Sequence, residues 1–383
     1  MKIHFPKRLP ASFAPLLVCG AGVIFSQLAV AATDEASDIR VQGPGTRPQL
    51  GFACCDQGIA QMQSLFADTS VIASLKELHA QVAVAIVDFS PERVETVRRL
   101  NEDGVPVIAW IELAQEDGYY LNADTTLKAA TRIGEFEKWT NENGLRWTAV
   151  GLDIEPNFGE LAELKAHRWL SITTLVRNSF NGHRIAHAQR AYSAMIAELQ
   201  ARGYAVQTYQ MPYLPAERSV HSTAFDRVLG TVDVRGNEEY LMLYTSEARR
   251  VGAGMIWSLG RNAQGITIGV TNGDTQAGVG NGPLDWNEFS RDLIVASHLT
   301  RLVGIYNLEG CVHQGFLPRL ARMDWSQSVV LPAASIQRAE RTGRTLRTAL
   351  RIFPFIPFLL FAALMFFAWL VRRWFLRRKA HSL

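Results

Sequence analysis

The sequence predicts an α/β fold, a single (β/α)8 barrel of the TIM type, on three observations. From Arg47 to Leu320, short apolar or β-branched runs alternate with stretches of helical period. Eight such runs fall within about 270 residues, the size of one such barrel. Along the runs, bulky side chains alternate with small or polar ones, the parity of a strand with a helix layer on one side and a packed interior on the other. An open doubly wound sheet is the alternative, since periodicity does not show closure.

The eight strands read QLGFAC (49–54), VAVAIVDF (82–89), VPVIAWIEL (105–113), WTAVGLDIEP (147–156), YAVQTYQM (204–211), EYLMLYT (239–245), ITIGVTN (266–272) and VGIYNLEG (303–310). Helices between them include SVIASLKELHA (70–80), PERVETVRRLNE (91–102), ATRIGEFEKWTNE (130–142), AHRWLSITTLVRN (166–178), AYSAMIAELQA (191–201) and WNEFSRDLIVASHLTRL (286–302). Ser90 before Pro91 marks one helix start, and Asp285 with Glu288 predicts a capping box at another. In the fourth strand Val150, Leu152 and Ile154 share the outer face, and Ala149, Gly151, Asp153 and Glu155 the inner. In the seventh, Ile266, Ile268 and Val270 oppose Thr267, Gly269 and Thr271.

The two ends differ from this body. Residues 1–31 combine Lys2, Lys7 and Arg8, an apolar run and Ala29-Val30-Ala31, the pattern of a cleavable signal peptide; an uncleaved anchor helix is the other reading. Residues 352–371 carry no charge, include six Phe and are followed by Arg372, Arg373, Arg377, Arg378 and Lys379. Twenty such residues match a bilayer core of about 30 Å, so one C-terminal transmembrane helix is expected. The organisation is then signal peptide 1–31, linker 32–46, barrel domain 47–325, basic juxtamembrane linker 326–351, transmembrane helix 352–371 and basic tail 372–383. Export places the barrel in the periplasm or outside the cell and the tail in the cytoplasm, on the inner membrane of a bacterial envelope. Arg341, Arg344, Arg347 and Arg351 form the basic face of a helix at the membrane surface.

The net charge of +3 conceals a division. Residues 1–31 carry three basic and no acidic groups, and 338–383 carry ten basic groups and Glu340, which leaves −9 for residues 32–337. An acidic domain disfavours nucleic acid as a ligand, and the basic flanks suit anionic lipid. No cofactor motif is present: the glycine-rich run 273–282, with Asn272 and Asp274 beside it, reads as a mobile loop over the mouth. No metal set is expected either, since His183 and His187 lack the Glu of a zinc-protease helix.

The outstanding local feature is Gly151-Leu152-Asp153-Ile154-Glu155-Pro156. Positions i and i+2 of a strand point the same way, so Asp153 and Glu155 project together at the carboxyl end of the fourth strand, the face where barrel enzymes hold their active sites. Paired carboxyls raise one another's pKa, which keeps an acid protonated for donation near neutral pH. The other reading is a pair that caps a helix or is salt-bridged. This Asp-x-Glu resembles the (β/α)8 glycoside hydrolases, particularly family 18 chitinase-like proteins and more distantly family 25 lysozymes. The resemblance implies Glu155 as general acid and Asp153 as its partner, orienting an N-acetyl group that attacks the anomeric carbon. It also implies a role for Met242 and Tyr244, which match that family's strand-six Met-x-Tyr.

Two positions depart from the family: Gly151 stands where a further Asp is expected, and the eighth strand ends in Tyr306-Asn307-Leu308-Glu309 rather than Trp. An ordinary two-carboxylate hydrolase therefore stays open, with Glu112 or Glu309 as nucleophile or base. Tyr119 and Tyr120 after the third strand, Tyr209 and Tyr213 around the fifth, Tyr244, Tyr306 and Asn307 complete a mouth suited to a saccharide. The function expected is a membrane-anchored envelope glycoside hydrolase acting on a polysaccharide, an amino-sugar polymer such as peptidoglycan among them. A non-catalytic glycan-binding or scaffolding barrel, serving a membrane biosynthesis or export partner, is the alternative. Cys54 and Cys55 end the first strand and Cys311 follows the eighth, neighbours in a closed barrel, so one of the pair is expected to bond Cys311 in an oxidising compartment.

Overall fold

The computed structural model describes residues 37–156, 177–272 and 282–355, together with Met365, Phe366, Trp369, Leu370 and Arg373. The signal peptide expected at 1–31 and nearly all of the tail expected at 372–383 lie outside the described residues, as do most of the helix expected at 166–178 and of the loop expected at 273–282. So does much of the span 352–371. Among the described residues no helix is long and apolar enough to cross a membrane.

Eight parallel strands close into a barrel: β2 (Gln49–Cys54), β3 (Gln81–Ile86), β4 (Val107–Ile111), β5 (Ala149–Asp153), β6 (Ala205–Gln210), β7 (Glu238–Met242), β8 (Gly265–Gly269) and β9 (Leu302–Tyr306). Closure is made where β2 pairs with β9 as well as with β3. These are the eight expected strands, so the open sheet is excluded.

The helices begin with α1 (Ile59–Ala67) and α2 (Thr69–Glu77) after β2, α3 (Pro91–Glu102) after β3, α4 (Thr126–Asn143) after β4 and α5 (Gly182–Ala201) before β6. The pair α6 (Leu214–Val220) and α7 (Ala224–Leu229) follows β6, α8 (Ala253–Leu259) follows β7, and α9 (Trp286–Leu299) precedes β9. Last come α10 (Leu308–His313), α11 (Leu317–Ala321) and α12 (Ala333–Ile352). The start signals act as their chemistry dictates. Ser90 accepts from the Arg93 amide with Pro91 in the first turn, and Asp285 and Glu288 close a reciprocal capping box on α9. Each such cap stabilises its helix by about 1 kcal/mol.

The strand parity explains both cores. Val150, Leu152, Ile154, Ile266 and Ile268 belong to the large apolar layer between barrel and helices. Inside the barrel Ala83, Ala85 and Ala149 leave room for Ile108 and Trp110, with Tyr209 and Tyr306 packed against them. Small residues on some strands and rings on others fill the taper of the interior.

The segments 32–46 and 326–351, expected as linkers, contribute to the body. β1 (Ile39–Gln42) pairs antiparallel with β10 (Ser328–Leu331). The strip lies beneath the barrel, where the Gln42 carbonyl meets Nδ1 of His298 at the end of α9 at 2.9 Å. From there α12 runs up the outside. Its Leu346 and Leu350 join Met211, Tyr213 and Met242 in a second apolar cluster at the mouth end, with Phe353 packed against it and Arg227 over the Phe353 ring. Arg338, Arg344 and Arg351 are exposed on its outer side. The basic helix expected here exists, but its apolar side is spent on the barrel.

Candidate active site

The carboxyl ends of the strands bring together an acidic cluster walled by aromatic rings. Asp153 ends β5 with its side chain inward and is only 5% exposed; Glu155, two residues on, is half-buried. The loop after β4 is laid against them. Leu121 forms a parallel bridge with Ile154, and the Glu155 amide donates to the Leu121 carbonyl at 3.1 Å. That pairing holds Tyr119 and Tyr120 beside the acids, their rings edge to face at 4.8 Å. Glu112, just past the end of β4, is 1% exposed.

Burial raises all three acids, and Glu112 and Glu155 are raised further by their acidic neighbours. Burial is the largest influence on Glu112 and pushes its pKa well above the usual carboxylate range, with Asp56, Asp153 and Glu155 adding to the rise. Burial likewise raises Asp153 to about 7, drawn back a little by the neighbouring Trp110 indole. Glu155 is raised by burial first, then by Asp153 and Glu247. Neither oxygen of Glu112 nor Oδ1 of Asp153 has a hydrogen bond of standard geometry. Among the described residues no ion pair involves Glu112, Asp153 or Glu155. Among the described residues the pair is thus not salt-bridged, while the segment that follows Pro156 lies outside them. A set of buried and half-buried carboxyls kept toward the protonated form can donate a proton at neutral pH.

The aromatic wall centres on Tyr306. Its ring stacks on Tyr244 with centroids 5.8 Å apart, meets Trp110 edge-on at 6.3 Å, and its hydroxyl donates to Oδ2 of Asp56 at 2.7 Å. Burial and the neighbouring acids push the hydroxyls of Tyr120 and Tyr244 up, so both stay protonated donors.

Other expected site residues are placed elsewhere. The Tyr209 ring fills the interior beside Gly151, and its hydroxyl donates to Oε1 of Gln207 at 2.9 Å. Tyr213 is 1% exposed, bonded through its hydroxyl to Thr231, and with Met242 it packs under α12, so it offers no surface to a ligand. Asn307 is a buried helix cap whose Oδ1 accepts from the Gly310 amide at 3.0 Å.

Glu309 stands apart from the other acids. Its Oε1 accepts from the Cys55 amide at 2.7 Å, and it is raised to about 7 chiefly by burial, with Asp56 the neighbouring charge. Cys54, Cys55 and Cys311 are all free and buried. The ligand atoms of Cys54, Cys55 and Glu309 lie within 4.8 Å of one another, the group among the described residues able to hold a metal. His183 and His187 are exposed on α5 and belong to no such group.

Sequence reasoning missed Asp56, Glu247 and Trp110. Trp110 could have been found, since it shares the inward parity of Ile108 and Glu112 along β4. Asp56 and Glu247 lie beyond the strand ends, where alternation no longer applies.

No family model matches the chain, and no curated protein matches it. Among solved structures it is similar to the glycoside hydrolase domain of PgaB (BpsB) from Bordetella bronchiseptica, at 9% identity and a TM-score of 0.43, covering 72% of this chain and 98% of that one. A D-allulose 3-epimerase from Methylomonas sp. is similar at 12% identity and a TM-score of 0.38, covering 80% of this chain and 99% of that one. The tryptophan synthase α-subunit of Pyrococcus furiosus follows at 11% identity and a TM-score of 0.35, covering 80% and 98%. Likenesses at this level distinguish no activity.

Proposed function

We propose that this chain is a glycoside hydrolase of the bacterial envelope acting on a polysaccharide that contains amino sugars. The observation that carries the reading is the cluster of Glu112, Asp153 and Glu155 at adjacent strand ends, the first two buried and the third half-buried, without ion pairs among the described residues and raised toward the protonated form. Glu155, the most open of the three, is the general acid that protonates the glycosidic oxygen. Asp153 is its partner: it raises the proton affinity of Glu155 and, as the resemblance to family 18 implies, orients the substrate's N-acetyl group. Of the two candidates for a second carboxylate, Glu112 is the one that feels both Asp153 and Glu155, and it serves as nucleophile or base once it has given up its proton. Tyr244, Tyr306 and Tyr120 supply ring faces and hydroxyls for a sugar. A signal peptide over 1–31 and a membrane anchor over 352–371 would tether the barrel to the outer face of the inner membrane, with the basic tail in the cytoplasm.

A binding barrel without turnover, holding a glycan for a membrane export or biosynthesis partner, is the second reading. It is favoured by the near-complete burial of Glu112 and Asp153. Detergent-solubilised full-length protein incubated with peptidoglycan and with β-linked N-acetylglucosamine polymers separates the two. Release of reducing ends supports hydrolysis, whereas retention on the polymer without release supports the binding barrel and sinks the hydrolase.

A further inference from the structure

We infer that Cys54, Cys55 and Glu309 form a binding site for a thiophilic divalent cation of the zinc type, tying the first and last barrel strands together at the seam. Consecutive strand residues point to opposite faces, so adjacent cysteines ordinarily diverge. Here Cys54 ends β2, and Cys55 takes a left-handed backbone conformation with φ 73°, which breaks the alternation. Both sulfurs thereby enter one group with a Glu309 oxygen, with the three ligand atoms within 4.8 Å of one another. The third ligand arrives from α10, directly after β9, the strand that closes the barrel against β2.

The pocket is prepared for a cation in a second, independent way. Glu309 spends Oε1 on the Cys55 amide, and its Oε2 is buried without a hydrogen bond of standard geometry. A sealed carboxylate oxygen beside two sealed thiols is costly unless a cation or a proton satisfies it. Arg93 is the cationic group nearby, but its guanidinium is already committed to Asp88, to the Ala85 carbonyl and to Met62. Two thiolates and a carboxylate are a zinc-type donor set, and three protein ligands leave a fourth tetrahedral position for water. Binding releases the thiol protons, because a coordinated thiol is deprotonated outright. Cys311 lies on the same helix two residues beyond Glu309, yet its sulfur is outside the group, so it serves as an internal control. The site is independent of the reading of the mouth as a hydrolase.

The test uses full-length protein purified in detergent under reductant, stripped with chelator and titrated with Co²⁺. We expect about one Co²⁺ per chain with thiolate-to-cobalt charge-transfer absorption, displaced by stoichiometric Zn²⁺. Cys54→Ser and Cys55→Ser should each cut the band by about half or more and together abolish it, Glu309→Gln should weaken Zn²⁺ affinity about tenfold or more, and Cys311→Ser should leave both unchanged. Should a cysteine variant fail to fold, alkylation of the wild-type chain decides: Zn²⁺ must protect Cys54 and Cys55, mapped by peptide mass, and leave Cys311 labelling unaltered. Absence of the band, a band that survives loss of both cysteines, or thiol labelling indifferent to Zn²⁺ overturns the proposal. Recovery of a Cys54–Cys55 or Cys–Cys311 disulfide from protein kept with Zn²⁺ throughout overturns it too.

Discussion

The ring of Tyr209 occupies the space that any side chain at Gly151 would need: a Cβ there would lie 3.0 Å from Cε2 and 3.4 Å from Oη of Tyr209. The inward position two residues before Asp153 is therefore filled from the neighbouring strand. An Asp there, as family 18 would have it, meets a ring already hydrogen-bonded to Gln207.

Introducing Gly151→Asp should accordingly harm the protein rather than perfect its resemblance. Overpacking of this kind costs about 1–3 kcal/mol, to which a buried, unpaired carboxyl adds. Urea denaturation should show a lowered midpoint at unchanged slope. A variant as stable as the parent would mean that Tyr209 yields freely.

The acids at the mouth should make stability depend on pH in the sense opposite to a salt-bridged carboxylate. The pKa of Asp153 rises from an ordinary 3.8 to about 7 on folding. Between those values the native state holds a proton that the unfolded chain has released, so stability falls as pH rises, by up to roughly 1.4 kcal/mol per pH unit for this group. The contribution is fully favourable below about pH 4 and fully lost above about pH 7. Asp153→Asn should flatten the fall across that window relative to the parent, as measured by denaturation at a series of pH values. An unchanged slope would show that Asp153 ionises freely in the folded chain.

How much of this was legible in the sequence follows from where side-chain parity holds. All eight strands could be read because each has a helix layer on one side and a packed interior on the other, as Val150 and Leu152 against Ala149 show. The Asp153 and Glu155 pairing was legible for the same reason. Parity fails at the strand ends. Cys55 turns left-handed, so Asp56 escaped notice, and Glu309 lies on a new helix beginning at Leu308, so its direction could not be carried on from β9. Tyr209 and Tyr213 show that an aromatic near a strand end is as readily core as mouth. In α12 the arginines at 338, 341, 344, 347 and 351 masked an apolar stripe of Ile336, Ala339, Leu346 and Leu350.

That stripe makes α12 part of the folding unit. Leu346 and Leu350 are 5% and 2% exposed, so Leu350→Ala should destabilise by about 2–4 kcal/mol. Thermal unfolding of the full-length chain checks this, and a change under 0.5 kcal/mol would return the segment to the status of a linker.

The hydrogen bond from Tyr306 to Asp56 joins the aromatic wall to the acidic cluster. Tyr306→Phe keeps the stack on Tyr244 but removes a donor to a carboxylate, which should lower stability by about 1–3 kcal/mol. Denaturant titration reads this directly, and a variant of parental stability would show that the bond contributes nothing net.

The central claim is that Glu155 delivers the proton, and the most direct measurement is the rate at which full-length Glu155→Gln releases reducing ends from the polymer that the parent cleaves. Glutamine keeps the shape and cannot donate that proton, so kcat should fall by about 10²–10⁴-fold while binding to the polymer persists. Parental turnover by the Gln variant would contradict the account, because the acid would then lie elsewhere.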